Sequence, residues 1–323
     1  MRNRASSIFP ALLLLVLTVS GLQAQIVIEN TATTPAPEAE KSSEAEDVEK
    51  FETNQVLVNV TVVDGLENYV AGLKARDFQV FEDTKPQRIV GFGFEETPFA
   101  AAILFDISGS MTHKMSLARA ACAQFAERIR EGDSVAIYTF GGIKVTKVQD
   151  FSEVRDVDPA VWELRADGNT PLYDAIVQAS TDLSKRPEKR RALIILSDGA
   201  DTTSKASLDK ARRQAHDANV LIYAVDLSDA TVYKNPSKDA GAKILKDMAA
   251  RTGGRLFEFA GGNQLRDAFT QTVEELRHQY TLVYEPEIEI RDGRWHTIEV
   301  RVGKAAYKVR ARQGYYAPKA QKK

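Results

Sequence analysis

The residues best suited to chemistry lie in the segment ILFDISGSM, where an apolar run gives way to Asp106, Ser108 and Ser110. These side chains occupy alternate positions of one short segment, so a carboxylate and two hydroxyls can face a common point. Oxygen ligands of this kind suit a hard cation such as Mg²⁺, which is bound octahedrally and keeps some positions for water or another ligand. An alternative is purely structural, because Ser108 or Ser110 could cap a following helix.

Two further segments carry matching groups. Thr170 lies in DGNTPLYDAI just before a helix start, and Asp198 in IILSDGADT follows another apolar run. With the first segment they supply two carboxylates and three hydroxyls, which leaves a divalent cation weakly neutralised. We therefore expect Mg²⁺, or Mn²⁺ or Ca²⁺ in its place, to accept one more anionic ligand from an acidic residue of a protein partner. Asp174 is expected to support the Thr170 loop through hydrogen bonds.

The elements that must position these groups alternate between strands and helices. Apolar runs AAILF, SVAIYTF, ALIILS and VLIYAVDL are separated by helical stretches such as KMSLARAACAQFAERIR and PLYDAIVQASTDLS. Near-continuous apolar strands are typical of a mostly parallel sheet covered by helices on both faces. The pattern predicts a doubly wound, Rossmann-like α/β domain over residues 98–278, with IKVTKV as an antiparallel edge strand. Ligands of such sheets bind at the carboxyl ends of the strands, where the polar segments lie.

The order DISGS, then Thr170, then SDG resembles the metal-ion-dependent adhesion site of von Willebrand factor A and integrin inserted domains. This resemblance implies a von Willebrand A fold in which Asp106, Ser108, Ser110, Thr170 and Asp198 bind the metal directly or through water. The flanking segments VTVVDGLENYVAGLKARDFQVFEDTKPQRI and VRARQGYYAP further resemble a group of exported bacterial proteins known from acidobacteria as the VWFA-related family.

Two β-rich segments flank the α/β domain, at residues 51–97 and 279–318. In the first, Val56, Val58, Val60 and Val62 alternate with polar residues, which predicts a half-buried strand. VDGLEN is predicted to be a turn in which Gly65 can take a positive φ, and RDGR is a hairpin signal. Because the N-terminal segment is too short to close a core alone, we expect the two segments to pack together as a small β-sandwich. Residues 319–323 are expected to form a solvated tail.

The N-terminal residues predict export. Arg2 and Arg4 precede the apolar run IFPALLLLVLTVSGL and Ala24 offers a cleavage position, so residues 1–24 have the pattern of a signal peptide. The alternative is an uncleaved membrane anchor. Residues 25–50 have little to bury and are expected to form a disordered linker. Cys122 is the single cysteine and is expected to be a buried small hydrophobe. We expect a bacterial protein of the periplasm, cell envelope or exterior, without a membrane span after cleavage.

The composition and the sequence motifs argue against several classes of function. The formal net charge of −2 at pH 7 argues against a nucleic-acid-binding surface. The sequence contains neither a GxSxG elbow nor a P-loop, and the Ser108 motif includes no His or Lys to act as a base. We therefore expect a non-enzymatic, cation-dependent module for adhesion or assembly. The alternatives are a scaffold in which the metal only rigidifies loops, and a Mg²⁺-dependent Rossmann-like hydrolase.

Overall fold

The computed structural model describes residues 55–94, 96–153, 157–163, 168–197, 201–227, 236–258, 262–286, 290–304 and 306–320. The predicted signal peptide, the linker and Asp198 lie outside these residues. The strands are β1 (Val56–Val63), β2 (Phe78–Glu82), β3 (Lys85–Gln87), β4 (Ile89–Gly93), β5 (Phe99–Asp106), β6 (Ser134–Gly141), β7 (Lys144–Ser152), β8 (Arg190–Ser197), β9 (Val220–Asp226), β10 (Arg255–Glu258), β11 (Tyr280–Tyr284), β12 (Trp295–Val302), β13 (Lys308–Ala311) and β14 (Gly314–Tyr316). The helices are α1 (Met115–Glu127), α2 (Ala160–Glu163), α3 (Leu172–Ser184), α4 (Leu208–Asp217), α5 (Pro236–Thr252) and α6 (Gly262–Arg277).

Six strands form the central sheet in the order β10-β9-β8-β5-β6-β7. The first five are parallel to one another, and β7 runs antiparallel to β6 at one edge. The central strand β5 is buried along its whole length, because its apolar side chains meet helices on both faces of the sheet. The doubly wound, mostly parallel α/β domain and its antiparallel edge strand are confirmed.

Two helical layers enclose this sheet. Buried side chains of α1 and α6 pack on one face, and those of α3, α4 and α5 pack on the other. The Ser207 hydroxyl accepts the N–H of Lys210 and so caps the start of α4. Cys122 of α1 is fully buried in the first layer, as predicted, and this burial raises the pKa of its thiol. The alternation of helices between faces sets up a crevice at the carboxyl ends of β5 and β8.

The flanking strands form two four-stranded sheets, β13-β1-β11-β4 and β14-β12-β2-β3. Each sheet combines strands from the N-terminal and the C-terminal flank, so neither flank completes a sheet alone. The two sheets share one apolar core, in which Val58 and Tyr280 of the first sheet pack with Val80 and Ile298 of the second. The predicted β-sandwich is confirmed, and the α/β domain is inserted between its strands.

The half-buried character predicted for β1 is wrong, because both faces of this strand are covered. Asn59 and Thr61, on the face opposite the valines, are only 5% and 1% exposed. The Thr61 hydroxyl donates to Glu275 Oε1 of α6 at 3.3 Å. The polar face of β1 therefore packs against the α/β domain, and its polar residues are partners in that contact.

The hairpin predicted for RDGR is also wrong, whereas the turn predicted for VDGLEN is present but does not use a positive φ at Gly65. The RDGR segment forms no hairpin, because the strands that it joins, β11 and β12, lie in different sheets. Instead, the backbone of Asp292 forms an isolated antiparallel β-bridge with that of Lys319. In VDGLEN the positive φ belongs to Glu67, at 64°. The Asp64 carboxylate accepts the backbone N–H groups of Leu66 and Asn68, which fixes the turn without using the freedom of a glycine.

Arg190, the first residue of β8, fixes the end of α6. Its Nη1 donates to the carbonyls of Leu276 and Arg277 at 2.9 and 3.0 Å, and its Nη2 donates to the carbonyl of Gln279 at 2.7 Å. The last carbonyls of a helix have no partner inside it, so the buried guanidinium satisfies them and complements the negative end of the helix dipole. Burial lowers the pKa of Arg190 to about 10, which leaves the side chain charged at neutral pH.

Candidate metal site

The two strands that lead into the candidate site lie side by side at the centre of the sheet. β5 ends at Asp106 and β8 ends at Ser197, and the parallel strands pair in register up to Phe105 and Leu196. The helix after β5 and the helix before β8 cover opposite faces of the sheet. Their divergence leaves the carboxyl ends of these strands open to a ligand.

Asp106 is fully buried and is oriented by two donors. Its Oδ1 accepts the backbone N–H of Ser108 at 2.7 Å, and its Oδ2 accepts the Ser197 hydroxyl at 2.6 Å. A buried carboxylate is unfavourable unless such charge-assisted hydrogen bonds satisfy it. The strand end therefore presents an oriented anionic oxygen pair.

Ser108 and Ser110 place their hydroxyl oxygens 3.2 Å apart. Ligands 2.0–2.1 Å from an octahedral Mg²⁺ are separated by about 2.9 Å at adjacent positions, so this spacing is close to that of two neighbouring ligands. The helix-capping alternative is wrong. Ser108 precedes a 3-10 turn at Gly109–Met111 without capping it through its side chain, and the residue preceding α1 is Lys114.

The Thr170 loop is held against the Asp106 loop. The N–H of Gly109 donates to the carbonyl of Gly168 at 3.2 Å, which joins the two loops. Thr170 itself is buried; its N–H donates to the Thr202 hydroxyl at 2.8 Å, and its carbonyl accepts the N–H of Thr202 at 3.0 Å. The backbone of Thr170 is thus fixed on both sides at the rim of the site.

Asp174 supports the neighbouring loop. Its two carboxylate oxygens accept the N–H groups of Lys205 and Ala206 at 2.9 and 2.8 Å, and its own N–H donates to the Ser204 hydroxyl at 3.0 Å. The Ser204 hydroxyl also donates to Asp201. Asp174 thus has a supporting role through hydrogen bonds, as expected, but it supports the segment at 204–206 rather than the Thr170 loop. These contacts fix the loop that continues from the SDG segment.

The sequence matches a known family of domains. The model of the von Willebrand factor type A domain matches residues 102–271, which is more than half of the 323-residue chain. The chain belongs to the von Willebrand factor type A domain family. The match covers Asp106, Ser108, Ser110 and Thr170, and it also spans Asp198. No curated protein matches the sequence.

Several solved structures are similar to this von Willebrand A protein. A von Willebrand factor type A protein from Catenulispora acidiphila is 13% identical, with a TM-score of 0.46 over 83% of this chain and 74% of that one. The PilB minor pilin from Streptococcus sanguinis is 15% identical, with a TM-score of 0.44 over 60% of this chain and 64% of the pilin. The vWF domain of the type V pili tip protein Mfa5 from Porphyromonas gingivalis is 11% identical, with a TM-score of 0.46 over 55% of this chain and 95% of that one.

The described donor set of the von Willebrand A domain fits a hard divalent cation. The Asp106 carboxylate and the paired Ser108 and Ser110 hydroxyls are oxygen donors on one loop, and Thr170 lies on a second loop in contact with it. Such donors suit Mg²⁺, Mn²⁺ or Ca²⁺ rather than a metal that prefers sulfur or imidazole. The part that Asp198 plays stays a prediction, because it lies outside the described residues.

Sequence reasoning missed Ser197 as a site residue. Ser197 is fully buried, ends β8 directly beside Asp106, and supplies the hydrogen bond to Oδ2. A signal for it was present, since Ser197 is the first polar residue after the apolar run ALIIL. In parallel strands that pair in register, the residues at adjacent ends become neighbours. Ser197 therefore positions a predicted ligand.

A second cluster of metal-ligand types lies in the β-sandwich, at Glu82, Asp83 and His296. The Asp83 carboxylate is bonded to His296 Nδ1 at 2.7 Å, and Glu82 accepts the hydroxyls of Tyr284 and Tyr315. The cluster is thus satisfied within the protein and stabilises the packing of the two sheets.

Among the described residues, no helix is long and apolar enough to cross a membrane.

Proposed function

We propose that this protein is a divalent-cation-dependent binding module for adhesion or assembly with another protein. The cation is bound by Asp106, Ser108, Ser110, Thr170 and Asp198. The main support is the pair of serine hydroxyls at 3.2 Å beside a buried and doubly hydrogen-bonded Asp106. Membership of the von Willebrand factor type A family agrees with this proposal.

The chemistry of the donors suggests the kind of partner. Serine and threonine hydroxyls are neutral, so Asp106 and Asp198 are the only charged ligands of the proposed set. The charge of these two carboxylates does not exceed that of a divalent cation. The bound cation also retains coordination positions for a further oxygen ligand. We propose that an acidic side chain of the partner protein occupies such a position, which makes recognition dependent on the metal.

Binding is proposed to take place outside the cytoplasm, in the periplasm, the cell envelope or the surrounding medium of a bacterium. The support is the signal-peptide pattern of residues 1–24. We propose no catalytic role for the site. The buried Asp106 has both of its oxygens engaged by donors, which suits a fixed ligand better than an attacking or proton-transferring group.

Metal-dependent capture of partners tests the function. Immobilised protein is incubated with envelope extract in Mg²⁺ or in EDTA, alongside Asp106→Asn and the control Asp209→Asn, whose side chain is 93% exposed on α4. Proteins bound by the wild type and by the control in Mg²⁺ should be lost in EDTA and on Asp106→Asn. An identical bound set in EDTA would overturn the adhesion proposal. If Mg²⁺ still raised the melting temperature, the metal would be a scaffold element.

A further inference from the structure

A groove of about 550 Å³ lies between the C-terminal end of α4 and strand β14. We call it the Arg312 groove; its lining includes Arg213, His216, Asp217, Arg312, Tyr315 and Tyr316. Helix α4 leads into the first residue of β9, so the groove lies near the amino ends of the parallel strands. The candidate metal site lies at the carboxyl ends of these strands. The groove and the metal site are therefore at opposite ends of the parallel strands.

Arg312 has no polar partner in the described part of the chain. Its side chain forms neither a hydrogen bond nor an ion pair there, and its Nε is buried without an acceptor. Arg310, two residues earlier, is bonded to Glu275 Oε2 at 2.7 Å. Burial lowers the pKa of Arg312, which reflects the cost of keeping a guanidinium away from bulk water. The two Nη groups of Arg312 are not among the buried atoms, and they are the donors that a bound oxyanion would engage.

The nearest acidic groups do not meet this need. Glu82 attracts Arg312 through space, but its carboxylate oxygens accept the hydroxyls of Tyr284 and Tyr315. Asp217 lines the outer part of the groove and is exposed to solvent. The guanidinium therefore keeps its planar set of donors available for a bidentate acceptor.

Aromatic rings and further cations surround Arg312. Its guanidinium lies 5.8 Å from the centre of the Tyr315 ring, and Arg213 covers the face of Tyr316 at 3.9 Å. Lys319 adds a third cation at the rim. Burial, with the nearby cation Arg312, lowers the pKa of His216 to about 4, so this imidazole is neutral at pH 7. The groove thus combines three cations with one exposed carboxylate and flat apolar walls.

We propose that the Arg312 groove binds a carboxylate attached to an aromatic or similarly flat apolar body. The carboxylate pairs with the Arg312 guanidinium through two parallel hydrogen bonds, and the body of the ligand packs on Tyr315 beside Pro318. Arg213 and Lys319 attract the anion to the groove. This binding is independent of the proposed metal site and needs no cation.

The test uses benzoate as the probe and benzamide as its neutral analogue. Titrations are followed by the indole N–H resonance of Trp295, whose ring contacts Tyr316 with centroids 5.0 Å apart. They are done in EDTA on the Asp106→Asn background, so that the metal site contributes no carboxylate binding. Benzoate should shift the resonance saturably and benzamide should not. Equal responses to the two probes would overturn the proposal.

Variants assign the binding to the groove. Arg312→Met should weaken benzoate binding at least about tenfold, because it removes the charged donor pair. The control Arg301→Met removes an exposed arginine paired with Glu299 and should leave the affinity unchanged. If Arg312→Met fails to fold, the exposed pair Arg213→Gln with Lys319→Gln replaces it and should also weaken binding. Unchanged affinity in a folded groove variant would refute the assignment.

Two further probes separate the sources of the carboxylate. N-acetylphenylalanine carries a peptide-like C-terminal carboxylate next to a ring, whereas benzoate represents a free aromatic acid. Binding of either one with the same dependence on Arg312 supports the proposed chemistry and identifies its source. Inorganic phosphate lacks the flat apolar body, so phosphate binding as tight as that of both organic acids would overturn the proposal.

Discussion

Replacing Asp106 by Asn should separate metal binding from folding. Oδ1 of Asp106 accepts the Ser108 N–H, and Oδ2 accepts the Ser197 hydroxyl. An asparagine in the same orientation keeps the first hydrogen bond through its carbonyl, and the Ser197 hydroxyl can turn to accept from the new amide. We therefore expect the free energy of unfolding of the metal-free variant to fall by only about 1 kcal/mol, the loss of charge assistance in these bonds.

The response of the wild type to metal follows from linkage. Once free Mg²⁺ exceeds its dissociation constant, each further tenfold increase adds about 1.4 kcal/mol to the free energy of unfolding. For a domain of this size, this amounts to a rise in melting temperature of about 3–6 °C per tenfold step. Asp106→Asn removes a charged ligand, so its melting temperature should stay constant over the same series.

Thermal melts of EDTA-stripped protein are followed by circular dichroism over a series of Mg²⁺ concentrations. The slope of melting temperature against the logarithm of Mg²⁺ concentration is measured for the wild type and for Asp106→Asn. Asp209→Asn is the matched control, because it makes the same chemical change at a side chain that is 93% exposed. It should keep the wild-type slope. A flat wild-type response to Mg²⁺, Mn²⁺ and Ca²⁺ would refute the site, and so would an Asp106→Asn variant that kept the full slope.

Three further predictions concern the surrounding fold. Arg190→Met removes three hydrogen bonds to buried carbonyls, and we expect urea titrations to show a loss of about 3 kcal/mol or more in the free energy of unfolding. The control Arg301→Met, at an exposed arginine, should show no measurable loss. Equal losses in the two variants would contradict the role given to Arg190. Gly168 has a φ of +68° and a Cβ there would lie 2.8 Å from Gly142 Cα, so Gly168→Ala should displace the loop and weaken Mn²⁺ binding about tenfold by calorimetry. An unchanged affinity would show that this loop does not shape the site. Burial lowers the pKa of His216 from 6.5 to about 4, so below pH 6.5 the unfolded chain binds a proton that the folded chain rejects. The wild type should therefore lose up to about 3 kcal/mol of stability between pH 6.5 and pH 4 that His216→Gln does not lose, and parallel pH profiles would contradict this.

The central part of the site could be predicted because its signals are local. Asp106, Ser108 and Ser110 share one short segment that follows an apolar run, and the run itself marks a buried strand. The parallel sheet then follows from the alternation of such runs with helices, and a parallel sheet gathers its strand ends at one edge. Thr170 could be placed near the same strand ends because it precedes the helix that leads into β8, and such a helix begins at the carboxyl ends of the parallel strands.

The missed features depend on contacts between distant segments. The contact of Thr61 with Glu275 joins residues 214 positions apart, and nothing near Thr61 shows that a helix will cover this face of β1. Similarly, Ser197 becomes a partner of Asp106 across 91 positions, through the adjacency of β5 and β8. Periodicity shows which residues share a face, but it does not show what packs against that face.

The register of β1 and β11 has a mechanical consequence. β1 begins at Val56, which pairs with Tyr284, whereas β11 begins at Tyr280, which pairs with Val60 and directly follows the α/β domain. A pull between the chain ahead of Val56 and a partner held at the metal site would draw these antiparallel strands in opposite directions along their length. The ladder would be loaded in shear, so its hydrogen bonds share the force and must break together. Under the proposed binding function, the β1–β11 ladder would therefore resist a pull along the length of its strands.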